Sequence, residues 1–233
     1  MDRANVAFIH ASPAAIAPLV NYYAQAEPGW TVFNLLDDGI MRQFKADDEA
    51  AVESGLLSLI ERAVTRYHAQ AALVTCSATT LDMMQRLERA SPIAVVKIDL
   101  PMARAAVAAG GAIGLLATFP PTVSSTTGLL KELARRDGRD VSVMPELRAA
   151  ALEPLLRGDL AAHDAILREG AIALRNAGAD LIVLAQVSMA HMRAALEEEL
   201  GVPVFSSLET SHKAIREALG QGCDSIFSKE QIK

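Results

Sequence analysis

The strongest constraint on this chain is a regular alternation of short apolar runs with longer stretches whose apolar residues recur every three or four positions. The runs are Val6–His10, Thr31–Leu35, Ala71–Thr75, Ala94–Lys97, Ala112–Ala117, Val141–Met144, Leu181–Ala185 and Val202–Ser206. Each is short enough for a strand and apolar enough to be covered on both faces. The helical patterns are Ala50–Tyr67, Thr80–Arg89, Pro101–Ala109, Val123–Arg136, Ala161–Asn176, Met189–Leu200 and Ser211–Leu219. Strand–helix alternation of this kind predicts parallel sheets with helices on both faces, and right-handed crossovers make the arrangement doubly wound. Aromatic residues are only 4% of the chain, so Ala, Leu, Val and Ile must fill the core. The 233 residues suffice for one large α/β domain or two of roughly 110 residues each.

An internal repeat favours two. The segment Ala71–Glu88 can be laid over Ala179–Glu197, which puts Cys76 on Gln186, Asp99 on Glu209 and Gly110 on Gly220, with one small shift near Pro92 and Pro203. The first strand and its turn, Val6–Pro13, likewise match Ile113–Pro120. The expected fold is therefore two pseudo-symmetric, doubly wound parallel-sheet halves of flavodoxin-like type. The halves are residues 1–98 with 206–233, and residues 99–205. Ligands of such sheets bind at the carboxyl ends of the strands, so the active site is expected between the halves.

The segment Leu73–Thr80 reads as strand, turn and helix, with Thr79 or Thr80 as helix cap. Cys76 then sits beside a helix N-terminus, where unpaired N–H groups favour an anion and lower a thiol pKa. Ser77, Ala78, Thr79 and Thr80 offer hydroxyls and amides that can hold a carboxylate. The blander reading makes Cys76 a small buried apolar residue. Thr118 and Thr122 flank the turn after the fifth strand and can converge on an anion, or serve as ordinary turn and cap residues with Pro121 in the first helical turn. Ser12, before Pro13, holds the corresponding place in the first half. His10 ends the first strand and can reach the cleft. Asp99 and Glu209 follow the fourth strand of each half and can orient a base or cap a helix. Ser188 is a poor base without an activating partner, and His191 reads as a half-exposed surface residue.

The chain resembles the aspartate/glutamate/hydantoin racemase superfamily in VTCSATT (Val74–Thr80), GLLATFPPTV (Gly114–Val123) and IVLAQVSMA (Ile182–Ala190). The resemblance implies a cofactor-independent enzyme in which a cysteine from each half faces one side of the substrate α-carbon. It makes Cys76 the first cysteine and puts Gln186 where the second usually stands. Glutamine does not titrate, so it cannot carry the second proton. Amino-acid racemisation at the carbon next to a carboxylate is the family expectation. A one-thiol decarboxylase or lyase, or a maleate-type isomerase, is the competing enzyme class. A carboxylate-binding module without catalysis is the competing non-enzyme. By the same resemblance Gln186, Val187 and Ser188 contact substrate, no cofactor is needed, and the protein is a homodimer.

Other classes lack their signatures. There is no GxGxxG after the first strand and no GxxxxGK[ST]. The five histidines show no HxxxH or HExxH spacing, so no metal is expected. A net charge of -6 gives no footprint for nucleic acid. No apolar run approaches the ~20 residues of a membrane span, and no cleavable leader is evident, so the cytoplasm is the expected location. Cys76 and Cys223 sit in unlike contexts and suggest no disulfide framework.

Overall fold

A computed structural model describes residues 4–221; Cys223 lies outside them. The chain divides into two compact units. The first runs to Ile98 and resumes at Ser211, and the second is Asp99–Thr210.

The first unit contains β1 (Asn5–His10), α1 (Ile16–Ala26), β2 (Thr31–Leu36), α2 (Ile40–Lys45), α3 (Glu49–Tyr67), β3 (Ala71–Val74), α4 (Leu81–Ala90) and β4 (Ala94–Lys97). Its strands form one parallel sheet in the order β2-β1-β3-β4. The second unit contains α5 (Leu100–Ala109), β5 (Gly111–Ala117), α6 (Pro120–Arg136), β6 (Val141–Leu147), α7 (Leu152–Leu156), α8 (Leu160–Asn176), β7 (Leu181–Leu184), α9 (Arg193–Leu200) and β8 (Val204–Phe205). Its sheet is also parallel, in the order β6-β5-β7-β8. The last helix, α10 (Ser207–Gln221), starts in the second unit and counts with the first from Ser211 onward.

All eight apolar runs are strands, and the reason is visible in their burial. Strands β3, β4 and β7 are buried along their whole length, as a parallel sheet covered by helices requires. The edge strands β2 and β6 are only partly covered. Small residues bring the layers close. A Cβ on Gly114 of β5 would lie 2.8 Å from a methyl of Ile182 and 3.1 Å from Ala179, so a larger residue requires these neighbours to move. Helix starts follow their caps. Asp48 accepts from the Ala51 amide at the start of α3, and Asp159 from the Ala162 amide at the start of α8. Among the described residues, no helix is long and apolar enough to cross a membrane.

The two units repeat one another bond for bond at the strand ends. The Thr75 amide donates to the Ile9 carbonyl, and the Ala185 amide to the Leu116 carbonyl, both at 3.0 Å. The Asp37 amide donates to His10, and the Arg148 amide to Ala117. These partners match the sequence overlay of β1 on β5 and of β3 on β7. The overlay slips at the fourth strands. Leu73 pairs with Val96 and Val183 with Phe205, so Lys97 corresponds to Ser206 and Asp99 to Leu208 rather than to Glu209.

Candidate functional site

In the first unit the buried strand β3 ends at Val74, and the chain turns through Cys76, Ser77, Ala78 and Thr79 before α4 begins. The turn is closed on the Cys76 carbonyl. That oxygen accepts from the Thr79 hydroxyl at 2.8 Å and the Thr79 amide at 3.3 Å. Thr80 caps the helix by accepting from the Met83 amide at 3.2 Å. Among the described residues, the amides of Ser77 and Ala78 donate to no protein acceptor, although both residues are buried. Buried N–H groups without acceptors are costly, and two in succession before a helix are donors suited to an anion. Cys76 immediately precedes them, with a relative exposure of 9%.

His10 and Thr75 lie on the strands behind this turn. The ring of His10 is wholly buried, with Nδ1 2.9 Å from the Thr75 hydroxyl and Nε2 2.9 Å from the Asn34 side-chain oxygen. Burial pushes its pKa below the ordinary histidine value, partly opposed by the hydrogen bond to Asn34. In a neutral ring Nε2–H donates to the Asn34 oxygen, while the Thr75 hydroxyl beside Nδ1 also donates to the Ile9 carbonyl at 3.1 Å. Ser12 accepts from the Ala14 amide at 3.3 Å and starts the short 3-10 helix Pro13–Ala15.

The corresponding turn of the second unit is built alike, with different chemistry. Gln186 follows β7 at the place Cys76 holds after β3, and the Met189 amide closes the turn on the Gln186 carbonyl at 3.0 Å. The Gln186 side chain clamps Thr118 at the end of β5. Its oxygen accepts from the Thr118 amide at 2.8 Å, and its nitrogen donates to the Thr118 hydroxyl at 2.9 Å. Thr118, Thr122, Val187 and Ser188 are all buried. The amides of Val187 and Ser188, like those of Ser77 and Ala78, donate to no protein acceptor among the described residues. His191 is half-exposed, held by the Asp164 carboxylate at 2.9 Å and near the Ser188 carbonyl.

Two supporting residues fall differently from expectation. Asp99 is fully buried at the start of α5 and makes no capping bond with its side chain. Glu209 lies in the first turn of α10 with its side chain 65% exposed, 3.9 Å from Arg193. Sequence reasoning also missed Lys97. This last residue of β4 is 1% exposed, and its ammonium donates to the Ser77 carbonyl at 3.4 Å. A lysine closing an apolar run reads as a strand terminator, so only its burial marks it. Among the described residues, no group of three or more His, Cys, Asp or Glu can hold a metal ion.

The family model for Asp/Glu/Hydantoin racemase matches residues 21–226. The chain belongs to this family. No functionally curated protein matches the sequence. Solved structures of the same fold include glutamate racemase RacE1 from Bacillus anthracis. It is 17% identical with a TM-score of 0.72, covering 95% of this chain and 83% of that one. Allantoin racemase from Klebsiella pneumoniae is 19% identical with a TM-score of 0.65, covering 94% and 88%. An unliganded arylmalonate decarboxylase is 13% identical with a TM-score of 0.58, covering 94% of each. The fold thus carries both racemases and a decarboxylase. In this member of the family, one of two matching strand ends has a thiol and the other an amide.

Proposed function

We propose that the protein is a cofactor-independent enzyme of isomerase type that moves a proton at the carbon beside the carboxylate of a small acid or amino acid. Cys76 is its acid/base. The observation that carries this reading is the placement of Cys76 beside the acceptor-less amides of Ser77 and Ala78. Those donors suit a thiolate or the carboxylate of a substrate. Thr79 supports the turn; Ser12 in the first unit, and Thr118, Thr122, Val187 and Ser188 in the second, are the other groups suited to an anion. The thiolate takes the α-proton, and the electron pair left on carbon moves into the carboxylate to give an enediolate. Fixed N–H donors stabilise that charge without reorganising, which is the main catalytic contribution expected of such a site. Proton return from the same thiol gives exchange with retention, and inversion requires the second proton to reach the opposite face from solvent, because Gln186 does not titrate.

The match to a racemase family model, with glutamate and allantoin racemases among the structural neighbours, supports the substrate class. Gln186 favours a second reading at the same site. Its amide holds Thr118 and does not titrate, so proton delivery from Cys76 alone suits a one-thiol decarboxylase or lyase. The decarboxylase neighbour supports that variant.

The test is alkylation of Cys76 by iodoacetamide against pH, in a Cys223→Ser background, with a panel of small dicarboxylates and amino acids. The expected result is a thiol titrating well below the ordinary value of about 8.5 and protected by one ligand class. A thiol with an ordinary midpoint that no ligand protects would make Cys76 a packing residue.

A further inference from the structure

We propose that Lys97 is a positioning residue that holds the Cys76 turn and supplies the positive charge that keeps the thiol ionised. The inference rests on the acid/base reading of Cys76 and names what tunes it. A wholly buried lysine is rare because removing an ammonium from water is costly, so its place needs a reason. At this end of β4 the ammonium donates to the carbonyl of Ser77, the residue next to Cys76. Fixing that carbonyl fixes the peptide plane it shares with the Ala78 amide, one of the two amides that have no protein acceptor among the described residues. The contact is specific to the first unit. The register of the two sheets puts Ser206 at the matching place in the second unit, where Gln186 replaces the thiol. The cation and the thiol therefore occur together, and both are replaced in the repeat.

The other titratable groups around this turn are few. His10 at the end of β1 is neutral in its buried setting. Asp37 beyond β2 and Asp82 in the first turn of α4 are exposed. Asp99, two residues beyond Lys97, is buried. Lys97 is the cation of this set. Consecutive Cα atoms lie about 3.8 Å apart, so an ammonium on the Ser77 carbonyl is within roughly 10 Å of the Cys76 sulfur. At that range in a partly desolvated site, one charge moves a pKa by about one unit.

The experiment compares the alkylation midpoint of Cys76 in wild type, Lys97→Met, Lys97→Gln and Lys97→Arg, all in the Cys223→Ser background. Gln keeps a donor for the Ser77 carbonyl while removing the charge, and it answers the question if Met does not fold. The expected result is a midpoint raised by about one unit in Met and Gln, with alkylation at pH 6 about tenfold slower, and a near-normal midpoint in Arg. A low wild-type midpoint that stays unchanged in folded Met or Gln variants overturns the role of Lys97 and leaves the acid/base reading standing. An ordinary midpoint in wild type overturns both.

Discussion

At the scale of single residues, burial acts on the protonation of His10 at the end of β1. Its folded pKa lies below the unfolded value because the charged ring would lose its hydration. The unfolded chain therefore binds the proton first as pH falls. The stability contributed by neutral His10 is complete above about 6.5, the ordinary histidine value, and is lost as pH drops from there toward the lowered folded value. His10→Gln keeps an amide between Asn34 and Thr75 and removes this titration. Denaturant midpoints measured from pH 7.5 to 5 should fall more steeply for wild type than for the variant. Parallel curves would show that the ring is not held neutral. Much of this residue-level picture was legible in the sequence. Cys76, the Thr80 cap and the half-exposed His191 follow from motif and position. The Gln186–Thr118 clamp was not legible, because it joins side chains 68 positions apart. Nor was Lys97, whose burial and contact with the Ser77 carbonyl arise only in the folded chain.

At the scale of elements, the eight strands were readable because a strand buried on both faces leaves an unbroken apolar run. The long helices were readable from their three-and-four spacing. The short ones, α2 and α7, were missed because packing rather than periodicity fixes six or five residues. Helix α1 was also missed. Pro18 and two tyrosines interrupt its pattern, and only Leu19 and Tyr23 are buried. The segment after Gln186 opens as a 3-10 helix, Val187–Met192, before α9, where one continuous helix was expected. Packing makes its own demand at β5. Gly114→Ala sets a methyl within 2.8 Å of Ile182 and 3.2 Å of Leu174. Overpacking of this kind costs typically about 1–3 kcal/mol. Urea unfolding of the variant should show a loss in that range with an unchanged slope. A neutral result would mean that β7 and α8 can yield at this contact.

At the scale of the whole molecule, a repeated α/β unit has diverged in what its strand ends carry. The strand order, the carbonyl acceptors at Ile9 and Leu116 and the closed turns are kept. The chemistry is not, since Cys76 and Lys97 correspond to Gln186 and Ser206. The net charge of -6 gives an anion no general attraction. On the proposed function an anionic substrate must be held by local donors, and the buried amides of each turn are suited to that. Under the same proposal, Cys76 exchanges a proton at carbon. The most direct test is deuterium incorporation from D2O at the α-position of a panel of small carboxylic and amino acids, followed by proton NMR with wild type and Cys76→Ala. At least one acid should exchange with wild type, with the rate falling at least about a hundredfold in the variant, the lower range for a positioned acid/base. Exchange that persists in Cys76→Ala, or a panel that never exchanges with wild type, would contradict the account.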